Sequence, residues 1–383
     1  MGPKSSGGAA ASGGFSFQHR VAAWAAVRIL AEHDSSPPWG LPQEATFDWL
    51  RLETEQPVDD LLVGTSHRGL IFCQIKQTVQ CSKAQDSEFA SAIDQFVRQY
   101  LSYRDSPPGG RAWERPLDPA LDRLVLVCGP ATPATLRIHL PAVLDRIRSL
   151  VRSQTVNDAV KSRIEQQVLS TTLGHVKRSW CVATGTSPGE SDIMKFFALC
   201  RIQILDLDPD GPAEVEAKSL LRTTVLYDPN DTNKAWDSLV LSCERMSANQ
   251  SGADRHSLQQ VLITTGINLR APRSYREDIR RLKELSSRNI ELLAHLSHIH
   301  FRGTEVKIRR PSTQELLRIA ETDSIIVVGQ PGAGKSGAIH DLAESLQQED
   351  RDLLFLAADR ISGQSLGEIQ KELCLDHSLF DIF

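Results

Sequence analysis

The sequence lacks the features that would mark a secreted, disulfide-bonded, zinc-binding or membrane-spanning protein. Its seven cysteines are scattered, and no two of them form a C-x-x-C pair, so their spacing indicates neither a disulfide framework nor a zinc site. The longest apolar stretches, such as residues 21–31 and 325–328, are shorter than the ~18 residues that a membrane-spanning helix needs. The amino terminus has no apolar segment of the signal-peptide type. These absences predict a cytoplasmic protein with no membrane partner.

A strong positive charge is also missing. The 383 residues carry a net charge of −5, and 40% of them are hydrophobic and 24% charged, which is ordinary for a globular protein. Any contact with nucleic acid must therefore come from a local basic patch. The length predicts two or three domains of roughly 100–200 residues each.

Composition and periodicity divide the chain into four segments. Residues 1–14 are rich in Gly, Ala and Ser, which predicts a disordered tail. Residues 15–130 combine helix and strand patterns and predict an α/β domain with a mixed central sheet. Residues 131–300 show mainly helical patterns and are interpreted as a connecting module. Residues 301–383 begin a further domain.

The second segment has a definite order of predicted elements. A helix at 15–32 ends before a Ser-Ser-Pro-Pro stretch, because proline cannot continue a helix. The elements that follow are strands at 46–54, 58–65 and 69–79, a helix at 87–103 and a buried strand at 121–128.

A phosphate-binding loop of the pattern G-x-x-x-x-G-K-[ST] is the most specific motif. The residues that match it are Gly329, Gln330, Pro331, Gly332, Ala333, Gly334, Lys335 and Ser336. Glycines let successive backbone N–H groups turn toward phosphate oxygens, and the following helix adds the positive end of its dipole. We expect Lys335 to reach the β- and γ-phosphates of ATP or another nucleotide, and Ser336 to bind Mg²⁺.

The surrounding sequence favours a P-loop NTPase domain with a parallel sheet. A buried strand is predicted at 324–328 before the loop and a helix at 335–347 after it, as the motif requires. A second apolar strand at 353–358 ends in Asp359, which resembles a Walker B aspartate. It follows the loop so closely that the next strand of the sheet is the favoured interpretation. A complete P-loop domain needs roughly 150–200 residues, so we expect its catalytic carboxylate, sensor and lid to lie beyond this chain.

A basic segment precedes this domain. Residues 270–310 contain eleven Lys and Arg against five Asp and Glu. One interpretation is a surface that faces phosphate groups. The other, which we favour, is a solvent-facing helix with charge pairs four residues apart.

A hairpin in the first domain brings together residues that are typical of a nuclease. If its turn is centred on His67, Asp60 lies directly opposite Gln74, and opposed residues share a face. Lys76 shares that face because side chains alternate along a strand, whereas Asp59 points to the other side. A one-residue slip is disfavoured because it would turn the buried face outward.

An acid followed by Glu/Gln-x-Lys on paired strands is the pattern of PD-(D/E)xK nucleases. Asp60 is predicted to hold Mg²⁺ together with the Ile75 carbonyl and the Gln74 side-chain oxygen, so that the metal activates water and neutralises the scissile phosphate. Lys76 is predicted to orient that water and to stabilise the charge of the transition state. The alternative is a catalytically inert edge hairpin whose lysine faces solvent.

The neutral Gln74 stands where a glutamate is usual, so a further carboxylate is expected at the metal. Glu53 is the first candidate. Glu55 and the helical Glu32 are the second candidates.

Three sequence features together carry a family resemblance: Gly13–Gln18 at the start of a helix, Val58-Asp59-Asp60 before a strand, and Gln74-Ile75-Lys76 at the end of the next. The stretch 13–130 resembles the PD-(D/E)xK endonuclease domain of CD-NTase-associated antiphage effectors. This resemblance implies a restriction-endonuclease-like mixed sheet, a double-stranded DNA substrate, and catalytic roles for Asp60 and Lys76.

The helical stretch, the phosphate loop and the stretch Phe355-Leu356-Ala357-Ala358-Asp359-Arg360 are similar to the nuclease-armed STAND NTPases of antiviral defence. That resemblance implies a regulated protein in which a carboxy-terminal sensor detects a phage component, the NTPase binds ATP and oligomerises, and clustered nucleases cut DNA. The leading hypothesis is a nucleotide-gated, Mg²⁺-dependent DNA endonuclease. Two alternatives stay open: a STAND-type signalling scaffold without catalysis, and a P-loop translocase or helicase.

Overall fold

The structure is a computed structural model of the chain. It describes residues 7–32, 39–41, 45–104, 110–150, 155–270, 275–294, 298–301, 304–307, 310–320, 324–349, 351, 353–363, 365–377 and 379–382. The chain forms two compact units, residues 1–270 and residues 271–383. No described helix is both long enough and apolar enough to cross a bilayer.

The first unit contains eight α-helices and six strands among its described residues. The helices are α1 (Gly7–Ala31), α2 (Glu88–Leu101), α3 (Leu140–Arg148), α4 (Arg163–Thr184), α5 (Glu190–Leu199), α6 (Pro212–Leu220), α7 (Thr232–Ala248) and α8 (Arg255–Thr264). The strands are β1 (Phe47–Leu52), β2 (Leu61–Thr65), β3 (Leu70–Lys76), β4 (Arg123–Cys128), β5 (Cys200–Ile204) and β6 (Gly252–Asp254).

These strands form one mixed sheet in the order β5-β4-β3-β2-β1-β6. The strands β1, β2 and β3 are an antiparallel meander, and β6 pairs antiparallel with β1. The strands β4 and β5 continue the sheet parallel to β3, each reached through a helical connection, as parallel pairing requires. The predicted α/β class with a mixed sheet is confirmed.

Helices cover both faces of the sheet. Side chains that alternate along a strand point to opposite faces, so Ile71, Cys73 and Ile75 join one apolar cluster while Leu70 and Phe72 join the other. The first cluster contains residues of α1, α6, α7 and α8, and the second contains residues of α2 to α5. Strands buried on both faces explain the nearly continuous apolar sequences of β3 and β4.

The hairpin register agrees with the sequence prediction. Leu61 pairs with Cys73 and Gly64 with Leu70, which centres the turn on His67. Gly64 leaves room for the indole of Trp49, because a Cβ at this position would lie 2.1 Å from the ring.

Two predicted boundaries of the first unit are wrong. The helix α1 begins at Gly7 and not near residue 15, because a helix that is already nucleated extends at little cost through good helix formers such as Ala9–Ala11. The predicted domain end at 130 is wrong because β5 and β6, which lie within 131–300, complete the sheet. Residues 131–270 are therefore part of the same unit and not a separate connecting module.

The second unit is described by itself. Its helices are α9 (Arg276–Leu293), α10 (Ser312–Ala320), α11 (Lys335–Gln348), α12 (Leu366–Glu372) and α13 (Leu379–Ile382), and its strands β7 (His298–Phe301) and β8 (Thr304–Lys307) pair with each other. The helix predicted after the phosphate loop is confirmed as α11.

The two strands predicted around that loop are not formed. Residues 324–330 have no regular structure, and Ile326 and Val328 are 87% and 83% exposed. Residues 353–357 are also irregular, and Asp359 lies in a short 3₁₀ turn, Ala358–Arg360. A parallel strand takes its hydrogen bonds from neighbouring strands, and no described strand of this unit pairs with either stretch. The backbone of Phe355 bonds instead to side chains of α9.

Candidate functional site

Asp60 is held against the end of β3 by two short hydrogen bonds. Its Oδ2 accepts one from the side-chain amide of Gln74 and one from the backbone N–H of Ile75, each 2.6 Å long. The predicted pairing of Asp60 with Gln74 is therefore present in the structure. Because Asp60 binds the amide that directly precedes Lys76, the loop before β2 is fixed beside the last residue of β3.

Glu53 approaches the same point from the end of β1. The Gln18 side-chain amide of α1 donates to Glu53 Oε1 at 2.9 Å and to the Asp60 carbonyl at 3.3 Å. Ser247 of α7 donates to the same Glu53 oxygen at 3.2 Å. Gln18 therefore links the two acidic residues, and helices distant in sequence hold the Glu53 carboxylate in place.

The backbone around Glu53 is strained. Glu53 has φ of 51° and Glu55 has φ of 61°, in the left-handed region that residues other than glycine rarely occupy. Such conformations cost on the order of 1–3 kcal/mol and persist where the surrounding structure enforces them. Here they end β1 with a sharp turn that places the Glu53 carboxylate next to α1 and Asp60.

The second carboxylate candidates lie elsewhere. Glu55 is exposed, and its nearest ion-pair partner is Arg111 at 4.0 Å. Glu32 forms an ion pair with Arg255 at 3.2 Å. Glu53 shares a hydrogen-bonding partner, Gln18, with Asp60.

The carboxylates of this site are crowded and partly buried. Burial raises the pKa of Asp60 to about 6; the Ile75 amide and the charge of Lys76 oppose this shift, and Asp59 and Glu53 add to it. Burial also raises the pKa of Asp59, on which the charges of Glu53 and Lys76 act as well. The charge of Asp59 therefore acts on the site, although the alternation of side chains predicts that Asp59 points to the other side.

His19 is a further residue near the site that the sequence did not predict. It follows Gln18 in α1, and burial lowers its pKa, while the nearby carboxylates of Glu244 and Glu53 raise it. The sequence offers a signal for Gln18, which lies in the motif Gly13–Gln18. It offers none for Ser247 or Glu244, which are about 190 residues away from Glu53.

Lys76 ends β3 with its side chain on the face of Gln74. Among the described residues, no hydrogen bond or ion pair engages its Nζ, although its charge acts on both Asp59 and Asp60. A lysine that is held near two carboxylates and left without a hydrogen-bonding partner is available to a substrate group.

The donor set fits a divalent cation that prefers oxygen ligands. Gln74 is 1% exposed, and its Oε1 is buried without a hydrogen-bond partner in the part of the chain that the structure describes. Buried polar atoms are seldom left without a partner unless an ion, water or ligand satisfies them. Asp60, Gln74 and Glu53 supply carboxylate and carbonyl oxygens, which Mg²⁺ prefers.

The phosphate loop of the second unit contains two glycines in the left-handed conformation. Gly332 and Gly334 adopt left-handed φ values of 80° and 81°, a conformation that residues other than glycine rarely adopt. Lys335 Nζ donates to the carbonyls of Gly329 and Gln330 at 2.7 and 3.0 Å, so the lysine folds over its own loop.

The basic segment before this loop contains arginines that are paired with acids. In α9, Arg280 bonds to Glu277 and Glu284, and Arg281 also bonds to Glu277. These pairs, three or four residues apart, agree with the favoured interpretation of a charge-paired helix. Residues 271–274, 295–297, 302–303 and 308–309 of the segment lie outside the described residues.

Comparisons with known proteins give a weak likeness. No protein-family model matches the chain, and no curated protein matches it. The chain is similar to solved Cap4 SAVED/CARF-domain containing receptors. The Acinetobacter baumannii receptor with the cyclic trinucleotide 3'3'3'-cAAA has 14% identity and a TM-score of 0.35, over 66% of this chain and 44% of its own.

Two further receptors have a similar identity and TM-score to this chain. The A. baumannii receptor with 2'3'3'-cAAA has 15% identity and a TM-score of 0.36, over 69% of this chain and 46% of its own. The Moraxella osloensis receptor has 16% identity and a TM-score of 0.35, over 66% and 47%. This chain spans less than half the length of these receptors, and a likeness this weak supports no argument about function.

Proposed function

We propose that the first unit is a Mg²⁺-dependent endonuclease acting on double-stranded DNA, and that the phosphate loop of the second unit binds ATP and gates it. The observation that carries this proposal is the Asp60 carboxylate bound to Gln74 and the Ile75 amide beside Lys76. The sequence resemblance to antiphage effectors supports a role in phage defence, with a phage-derived trigger and oligomerisation on activation.

The residues of the site have separate roles in phosphodiester hydrolysis. Asp60, Gln74 and Glu53 would hold the cation, with the Ile75 carbonyl beside them. When bound, Mg²⁺ supplies Lewis-acid polarisation of the phosphodiester. Lys76 Nζ, which has no hydrogen-bonding partner among the described residues, stabilises the negative charge that develops on the phosphate in the transition state. Gln18 positions the Glu53 carboxylate and the Asp60 backbone through its two hydrogen bonds.

Plasmid cleavage with Mg²⁺ tests the assignment. The parent chain is compared with Lys76→Ala, and with Lys177→Ala as a control that removes an exposed lysine of α4. We expect the parent and Lys177→Ala to cut and Lys76→Ala to lose at least about a hundredfold in rate, since one group that stabilises transition-state charge contributes about 10²–10³-fold. Equal cutting by all three proteins would contradict the assignment of Lys76.

The same plasmid cleavage assay, repeated over a range of protein concentrations with and without ATP, tests the gating. We expect cleavage to rise with protein concentration and with ATP, and Lys335→Ala to lose the ATP effect, because it removes the side chain predicted to bind the phosphates. A parent chain that stays inactive at every concentration with ATP and Mg²⁺, yet binds ATP, would favour the scaffold alternative.

A further inference from the structure

Three arginines lie close together at the opposite end of the central sheet from Lys76. Arg123 is the first residue of β4, Arg201 is the second residue of β5, and Arg148 ends α3. Arg123 pairs with Ile71 in the sheet, five residues before Lys76 along β3, which is roughly 16 Å at 3.3 Å per residue. This arginine cluster is therefore separate from the proposed nuclease site and does not depend on it.

The cluster is largely buried, and among the described residues its exposed side is at Gly40. Arg123 and Arg201 are 3% and 6% exposed, and the side chain of Arg148 is 23% exposed. The Nη2 atoms of Arg201 and Arg123 lie 3.5 and 3.9 Å from the point where a Cβ would stand on Gly40. Gly40 itself is exposed, so the missing side chain leaves space beside both guanidinium groups on the solvent side.

The three arginines differ in how their donors are used. Arg123 donates to the carbonyls of Trp39, Gly40, Pro119 and Asp122, so its guanidinium is fixed. Arg201 donates through Nη1 to the carbonyls of Ala198 and Cys200, and Arg148 pairs through Nη2 with Asp145. In the described part of the chain, Arg201 Nε and Arg148 Nη1 are buried without a hydrogen-bond partner.

The charges of the cluster are not balanced at Arg201. No carboxylate forms an ion pair with Arg201 among the described residues, and the cations that act on it are Arg148 and Arg123. The nearby Asp122 is already bound in bidentate fashion by Arg115, at 2.7 and 2.8 Å. A buried guanidinium without an anion is costly, so the cluster favours binding of a negatively charged group.

We propose that Arg148 and Arg201, with the fixed Arg123 beside them, form a binding site for a phosphate group, either free or at the end of a nucleotide. Guanidinium groups match phosphate oxygens with paired hydrogen bonds. A phosphate monoester carries about −1.5 to −2 charges near pH 7, which compensates more than one arginine, whereas a carboxylate compensates one.

Calorimetric titration with inorganic phosphate tests this site. All proteins carry Lys335→Ala, so that the phosphate loop does not contribute the signal. We expect one binding event, weakened about tenfold or more by Arg148→Gln, because charge-assisted hydrogen bonds are among the strong ones. Arg137→Gln is the matched control, since it removes an exposed arginine from the turn before α3 and should leave the affinity unchanged. Equal affinity in all three proteins, or no binding by the parent, would overturn the proposal.

Chemical modification provides a measurement that needs no variant at the site. Phenylglyoxal modifies accessible arginines, and peptide mass spectrometry reports each position. We expect phosphate to protect Arg148 but not Arg137, and 5'-AMP to protect Arg148 where adenosine does not. Protection by inorganic phosphate alone would restrict the ligand to a free phosphate, and protection by AMP alone would restrict it to a nucleotide. Lack of protection by either compound would refute the site.

Discussion

Replacing Asp60 with asparagine should stabilise the first unit in the absence of a divalent cation. The carboxylate of Asp60 is partly buried, and the negative charges of Asp59 and Glu53 act on it. An asparagine at position 60 can still accept from Gln74 and from the Ile75 amide. Its own amide can also donate to Gln74 Oε1, which is buried without a partner among the described residues. The substitution therefore removes an unfavourable charge and keeps the hydrogen bonds.

The magnitude follows from the shift in the pKa of Asp60. The pKa rises from 3.8 to about 6 in the folded chain, so the native state binds a proton more tightly than the unfolded state does. Stability is therefore lost as the pH rises from about 4 through about 6, and at pH 7.5 the full cost is about 3 kcal/mol. We expect Asp60→Asn to gain up to about 3 kcal/mol at pH 7.5, because the shifted pKa already includes the attraction of Lys76, and to gain little at pH 4.

Urea unfolding followed by tryptophan fluorescence measures this effect. All six tryptophans lie between residues 24 and 236, so the signal reports the first unit. In EDTA the variant should have the higher midpoint, by an amount that grows with pH. Saturating Mg²⁺ should stabilise the parent and leave Asp60→Asn unchanged, and a tenfold excess over the dissociation constant corresponds to about 1.4 kcal/mol. A variant less stable than the parent in EDTA at pH 7.5 would refute the electrostatic reasoning.

Two further predictions concern the packing and the ion pairs of the same unit, measured by the same urea unfolding. Gly64→Ala should destabilise it by about 2 kcal/mol, because the new Cβ would overlap the indole of Trp49 and overpacking typically costs 1–3 kcal/mol. Gly174→Ala in α4, which meets no atom within 4 Å, should instead gain about 0.5–1 kcal/mol, and the same sign for both glycines would contradict the packing argument. Asp122→Ala should cost about 3–5 kcal/mol, because a buried carboxylate that accepts bonds from an arginine and two backbone amides is removed. Asp94→Ala, at an exposed pair, should cost under about 1 kcal/mol, so comparable losses in the two aspartate variants would argue against burial as the cause.

The candidate site was predictable from sequence where the signal is local. The turn of the hairpin between β2 and β3 and the alternation of side chains place Asp60 opposite Gln74, and both depend only on neighbouring residues. The left-handed glycines at Gly332 and Gly334 follow from the loop motif in the same way. Such features are encoded within a few residues of one another, so one sequence suffices to find them.

Features that depend on distant pairing were not predictable. The short strand β5 is embedded in a stretch with helical patterns, and nothing local shows that the edge of β4 is its partner. Conversely, residues 324–328 have the composition of a buried strand but lack a described neighbour to pair with. Ser247 supports Glu53 across a separation of 194 residues, and neither residue carries a sequence signal for the other.

The geometry at the end of β1 shows why the site tolerates conformations and charges that disfavour folding. The left-handed Glu53, the raised pKa of Asp60 and the unpartnered oxygen of Gln74 each lower the stability of the metal-free chain. All three occur within one hydrogen-bonded cluster, in which Gln18 joins Glu53 to Asp60 and Asp60 binds Gln74. A bound cation would neutralise the crowded carboxylates and satisfy the Gln74 oxygen, whereas a purely structural hairpin needs neither. This concentration is the physical reason for preferring the nuclease interpretation over the inert edge hairpin.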